Sequence, residues 1–195
     1  EAEDLGIDLE EATRWIEDHA DDRWCALVHY YSTHTTYDPE DEFRTMYVDP
    51  GYQGPIQEFS SDHREAIERG VYELTPADVQ QIRDLYSGGV STADAMIGEV
   101  IETLRSRGIL DDTIVVVTSD HGEELGDHGL WEHNFMYETN LRVPLLIRYP
   151  KGLPQGTRVA AAVDSIDLVP TLCDLLEIDA PRDEAVAGGA FDDRA

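Results

Sequence analysis

Three short apolar runs without polar alternation punctuate the chain: Trp24 to Tyr30, Ile114 to Val117 and Val143 to Tyr149. Uninterrupted β-branched and aliphatic runs of this length predict strands buried on both faces, as in parallel sheets. Between the first two lies a long stripe at helical spacing, with Val79, Ile82, Tyr86, Val90, Ala93, Ile97, Ile101 and Leu104 on one face. Thr75 is placed to cap it, Pro76 takes the first helical position, and Gly108 after Arg107 is the stop. Gly88 and Gly89 interrupt the stripe, each costing about 1 kcal/mol against alanine, and local rules alone split the helix at the pair. Asp8 and Glu11 have capping-box spacing and predict a helix from about Leu9 to Ala20. A second helix is expected from Asp167 to Ile178, with Asp167 as cap and Pro170 in the first turn.

Periodicity fails between Tyr37 and Leu74, where prolines and glycines predict a surface excursion on the substrate side. Arg158 to Val163 is expected to form a short strand after the turn-rich stretch Lys151 to Gly156. Two strands separated by a crossover helix pair in parallel, so the runs at 24 and 114 are expected to share a sheet. The pattern predicts an α/β fold with a parallel-rich central sheet flanked by helices. Residues 1–182 are expected to form one domain and residues 183–195 a disordered tail.

Charge changes the picture. Forty-two acidic residues stand against 14 basic ones, giving a net charge of -28, and Lys151 is the only lysine. Such a surface repels polyanions, which argues against nucleic acid and anionic membranes as partners. Apolar residues at 41% and acids spread along the chain predict a folded, halophilic protein of archaeal type rather than an acidic disordered segment. Cys25 and Cys173 lie in strand-like and helix-like runs and are expected to be core thiols.

Candidate chemistry gathers where the second strand ends. Asp120, His121, Glu123, Glu124, Asp127, His128, Glu132 and His133 follow within one loop, and ligands of parallel α/β sheets collect outside the carboxyl ends of strands. Asp120 and His121 offer one carboxylate and one imidazole, a pair suited to a divalent cation.

The stretch from Ser119 to Trp131, Ser-Asp-His-Gly-Glu-Glu-Leu-Gly-Asp-His-Gly-Leu-Trp, followed by Tyr137-Glu138 and Arg142-Val143-Pro144, resembles the sulfatase family of the alkaline phosphatase superfamily. Gly108 to Thr113, Asp167 to Leu172 and Val28 to Pro39 resemble it too. The resemblance is to the later part of a sulfatase and implies a partial fold of that type, with one long helix continuing through Gly88 and Gly89 and room for a kink at the pair. It implies hydrolysis of sulfuric ester bonds on a small sulfate or phosphate ester. It further implies Asp120 and His121 as metal ligands, and His34 and His133 as catalytic residues that contact the ester or its leaving oxygen. The metal implied is calcium, with manganese or zinc compatible with His121.

Several positions depart from the family pattern. Thr36 stands where His-x-Pro-Tyr has proline, and His121 and His133 stand where many arylsulfatases carry asparagine and lysine. Phosphonate monoester and phosphodiester hydrolases of the superfamily therefore remain alternatives. The family's formylglycine arises in a Cys/Ser-x-Pro/Ala-x-Arg motif, and neither Cys25 nor Cys173 lies in one. The two early aspartate ligands also lack counterparts, so the chain is expected to be a fragment, inactive alone, with formylglycine confined to an upstream segment. A noncatalytic acidic domain that binds a cation or a protein is the competing reading. Compartment, signal peptide and oligomeric state are not legible.

Overall fold

Thr75 opens the longest element as expected. In the computed structural model, which describes residues 9–179, its hydroxyl accepts from the backbone of Asp78, while Asp78 accepts from the Thr75 backbone at 2.8 Å. This closed capping box starts α4, Pro76–Ser106. The helix runs unbroken through Gly88 and Gly89, as the resemblance implied and where local rules would split it. The two glycines serve close approach instead. A Cβ on Gly88 would lie 2.6 Å from Cγ of Pro39, and one on Gly89 would overlap the carbonyl oxygen of Ser32. The segment carrying His34 is thereby seated directly on the helix backbone.

The described residues form two compact units. Within the described residues the first comprises 9–113 and 121–143, the second 114–120 and 144–179. In the first, α1, Leu9–Asp18, lies against α4, and Glu17 pairs with Arg107 at 3.0 Å. The predicted cap Asp8 lies outside the described residues. The expected surface excursion from Tyr37 to Leu74 is corrected, because it supplies half of the core. It folds into α2, Asp41–Tyr47, and α3, Ser61–Glu68. Tyr37, Ile56 and Phe59 are at most 1% exposed and pack with Ile82, Leu85 and Trp131. These core residues stand singly among polar and turn residues, so no period announced them.

Trp24 to Tyr30 joins no ladder, and Leu27 is 93% exposed, which corrects the first predicted strand. Cys25 is exposed with it, against expectation, whereas Cys173 is buried as expected. An apolar run becomes a strand only where a neighbour meets its backbone hydrogen bonds.

In the second unit, β1, Val115–Thr118, pairs with β4, Leu145–Arg148, in antiparallel register from Val115 opposite Arg148 to Thr118 opposite Leu145. The predicted second and third runs are therefore strands. Their pairing is antiparallel, so the expected parallel pairing of Trp24 to Tyr30 with the 114 run is corrected for the described residues. Arg158 to Val163 is exposed and unpaired with any strand, which corrects the fourth. Helix α6, Leu168–Leu175, holds Pro170 in its first turn as predicted but ends three residues early. The predicted tail from 183 lies outside the described residues. The class is α/β, with helices and small sheets.

Candidate active site

The loop after β1 crosses from one unit to the other at the Asp120 to His121 peptide. Asp120 closes the strand-bearing unit, where Ser119 Oγ lies 3.4 Å from its Oδ1. His121 opens a stretch that belongs to the helical unit. Gly122 follows because the chain there presses on α5, Glu138–Leu141. Its amide donates to Asn140 at 2.8 Å, and a Cβ would overlap the carbonyl of Thr139.

A tight hairpin comes next. Strand β2, Glu124–Leu125, pairs with β3, Trp131–Glu132, with Leu125 opposite Trp131. Gly126, His128, Gly129 and Glu132 all have positive φ, so four left-handed residues reverse the chain within nine positions. Trp131 is driven into the core against Phe59, with ring centroids 5.2 Å apart. His133, two residues on, is left at the margin of that core.

Three histidines meet there. His121 and His133 stack with centroids 4.0 Å apart, and His34 lies 6.0 Å from His133. His34, His121 and His133, named as site residues from the resemblance, are thus brought together within the helical unit. The remaining predicted residue, Asp120, belongs to the other unit.

Each imidazole has its Nδ1 against an oxygen. For His34 it is the carbonyl of Thr35 at 2.7 Å, for His121 the carbonyl of Gly122 at 2.8 Å, and for His133 the carboxylate of Glu123 at 3.2 Å. A carbonyl only accepts, so Nδ1 carries the proton in His34 and His121 and the lone pair of the neutral ring falls on Nε2.

Glu123 is the residue that sequence reasoning passed over as one acid among many. Its side chain is almost fully buried beside His133. Burial pushes its carboxyl above the ordinary value, and His133, Tyr37 and His121 offset this only in part. Tyr37 interacts with the same carboxyl and is stacked on Phe59 at 5.5 Å and edge-on to Tyr86 at 5.4 Å. Burial, reinforced by Glu123, pushes its phenol well above the usual range. Its hydroxyl and that of Thr35 are buried, and neither has a well-aligned hydrogen bond. The only available signal was position, since Glu123 lies two residues from His121 and Tyr37 three from His34.

The other acids of the loop are structural. Glu124 is fully buried, accepting from Thr139 and lying 3.4 Å from His128 Nδ1. Glu132 is buried with Arg64 Nε at 2.9 Å and Ser61 at 3.3 Å. Asp127 pairs with Arg83 at 3.4 Å, and His128 stacks on Tyr137 at 4.0 Å. These contacts give Asp127 and His128 a loop-ordering role.

Among the described residues, no group of three or more His, Cys, Asp or Glu side chains is arranged to hold a metal ion. Asp120 and His121 have the chemistry of two ligands, with the His121 lone pair on Nε2 as a ligating imidazole requires. Two donors fall short of the three or four that protein metal sites supply, so the described residues do not fit a complete centre.

Comparison with known proteins shows the family. The chain matches the Sulfatase family over residues 7–178. It is 30% identical over 179 residues to choline-sulfatase of Rhizobium meliloti (strain 1021), an alignment covering 87% of this chain and 35% of that protein. It is 41% identical over 104 residues to N-acetylglucosamine-6-O-sulfatase of Bacteroides thetaiotaomicron, covering 53% of this chain and 18% of that one. In three dimensions it is similar to phosphonate monoester hydrolase of Agrobacterium radiobacter, with a TM-score of 0.76 and 26% identity over 94% of this chain and 40% of the other. BT4656, solved with its substrate D-glucosamine-2-N,6-O-disulfate, shares the fold at a TM-score of 0.70 and 22% identity, covering 95% of this chain and 51% of its own. The chain spans about a third of the choline-sulfatase that it matches. With its family segments folded into the α/β scaffold of these hydrolases, the chain belongs to the sulfatase family.

Proposed function

We propose that this chain carries the histidine side of the active site of a metal-dependent hydrolase of sulfuric ester bonds. The observation that supports it is the meeting of His34, His133 and His121 on one margin of the helical unit. Sulfuric ester cleavage builds negative charge on the nonbridging and leaving oxygens, and imidazoles beside it can donate to that charge or move a proton. His34 and His133 are the residues assigned to the ester. Asp120 and His121 are assigned as two ligands of a divalent centre, calcium by family or a softer ion favoured by the imidazole. The chain itself contains no Cys/Ser-x-Pro/Ala-x-Arg segment, so the covalent step has no nucleophile of that type within these 195 residues.

Histidine-selective NMR tests the assignment. On titration with phenyl sulfate, the ring signals of His34 and His133 are expected to move together along one saturable curve, and signals that stay still overturn the reading. The chain alone is expected to release no sulfate from an aryl sulfate. Release abolished by Asp120→Ala would overturn that part.

A second reading, a phosphonate monoester or phosphodiester hydrolase, is favoured by the 26% identity and close fold of the phosphonate monoester hydrolase. It predicts that phenyl phosphonate displaces phenyl sulfate from the same two histidines.

A further inference from the structure

The three histidines of the site are oriented by three different acceptors, and one of them is a side chain. His34 is held by the carbonyl of Thr35 at 2.7 Å, and His121 by that of Gly122 at 2.8 Å. Both locks belong to the backbone and come with the fold. For His133 the acceptor is Glu123 Oε1 at 3.2 Å. That carboxylate is buried and interacts with Tyr37, which is itself 1% exposed. Its backbone is fixed as well, with Glu123 N donating to the carbonyl of Thr139 at 3.2 Å beside the Gly122 contact. A carboxylate placed this rigidly behind an imidazole selects the ring's tautomer and its angle.

We propose that Glu123 is a positioning residue of this site: it accepts from Nδ1–H of His133, matches that ring's tautomer to those of His34 and His121, and presents Nε2 to the ester. The three rings then display the same nitrogen. Stacking of His121 on His133 at 4.0 Å limits rotation about Cβ–Cγ, so the carboxylate decides between tautomers while the stack holds the plane. A neutral His133 held this way meets the ester with a lone pair and can accept a proton. A primary ammonium at this position would carry a fixed charge and three donors. This inference takes from the proposed function only that His133 faces the ester.

The test is the tautomer itself. In the full chain labelled with 15N-histidine, at a pH where the rings are neutral, His133 is expected to have a protonated Nδ1 and an unprotonated Nε2. In Glu123→Ala the majority is expected to shift to the Nε2–H form common in solution, while His34 and His121 keep theirs. A wild-type His133 that is mainly Nε2–H overturns the proposal, as does a Glu123→Ala protein in which His133 stays protonated at Nδ1. The wild-type measurement decides even if the variant does not fold. Phenyl sulfate plays no part in it, so a failed tautomer leaves the ester assignment standing, and a silent ester titration leaves the tautomer standing.

Discussion

Asp78 shows how much one side chain in this protein is asked to do. It is 3% exposed, yet it accepts from Tyr52 at 2.6 Å, from the backbone and hydroxyl of Thr75 at 2.8 Å, and from Tyr72 at 3.4 Å. Burial alone would raise its carboxyl, but these donors outweigh it and hold the group below the ordinary carboxylate value. Burial and the bond to Asp78 push Tyr52 up to about 12 in return. A carboxyl depressed in the folded state stabilises fully above its unfolded value, near 4, and that stability is lost as pH falls through the folded value. Asp78→Asn is therefore expected to cost about 1–3 kcal/mol at neutral pH, with the difference from wild type shrinking on acidification. Urea denaturation at several pH values checks this, and a penalty independent of pH would show that the charge is immaterial.

Helix α4 sets the same substitution against itself at two places. An alanine at Gly98 meets nothing within 4 Å, so Gly98→Ala is expected to stabilise by about 0.5–1 kcal/mol through helix propensity. At Gly89 that gain is opposed by overlap with the Ser32 carbonyl, and Gly89→Ala is expected to destabilise by about 1–3 kcal/mol. The strain falls on the segment that carries His34, so the spatial contact between His34 and His133 is expected to weaken too. Thermal or urea unfolding gives the sign of each change, and cross-peaks between the two rings report the second effect. Equal stabilisation by both alanines would remove the docking role of the glycine pair. His133 depends on the hairpin in a similar way, because Trp131 inserts into the core and holds the neighbouring chain.

At the scale of the molecule the dominant quantity is the net charge of -28. Self-repulsion at that density destabilises a compact chain in dilute buffer, and molar salt reduces the screening length to about 3 Å. The melting temperature is expected to rise steadily from low to molar potassium chloride. A flat or falling curve would end the halophilic reading. Among the described residues, no helix is long and apolar enough to cross a membrane.

Local rules carried as far as local causes did. The capping box at Thr75, the strands after Thr113 and after Val143, and the proline in the first turn of α6 follow from nearest neighbours and were legible. So were His34, His121 and His133 as candidates, because they stand in segments that resemble the family. Tertiary structure decided what those groups do together. It drew Tyr37, Ile56 and Phe59 out of an aperiodic stretch into the core, since burial depends on which surfaces meet and not on spacing along the chain. It left Trp24 to Tyr30 without a ladder, since a strand needs a partner as well as propensity. It turned Gly88 and Gly89 from an apparent hinge into a seat for the His34 segment, and singled out Glu123 among 42 acids by burying it against His133. Contacts between residues distant in sequence made those choices.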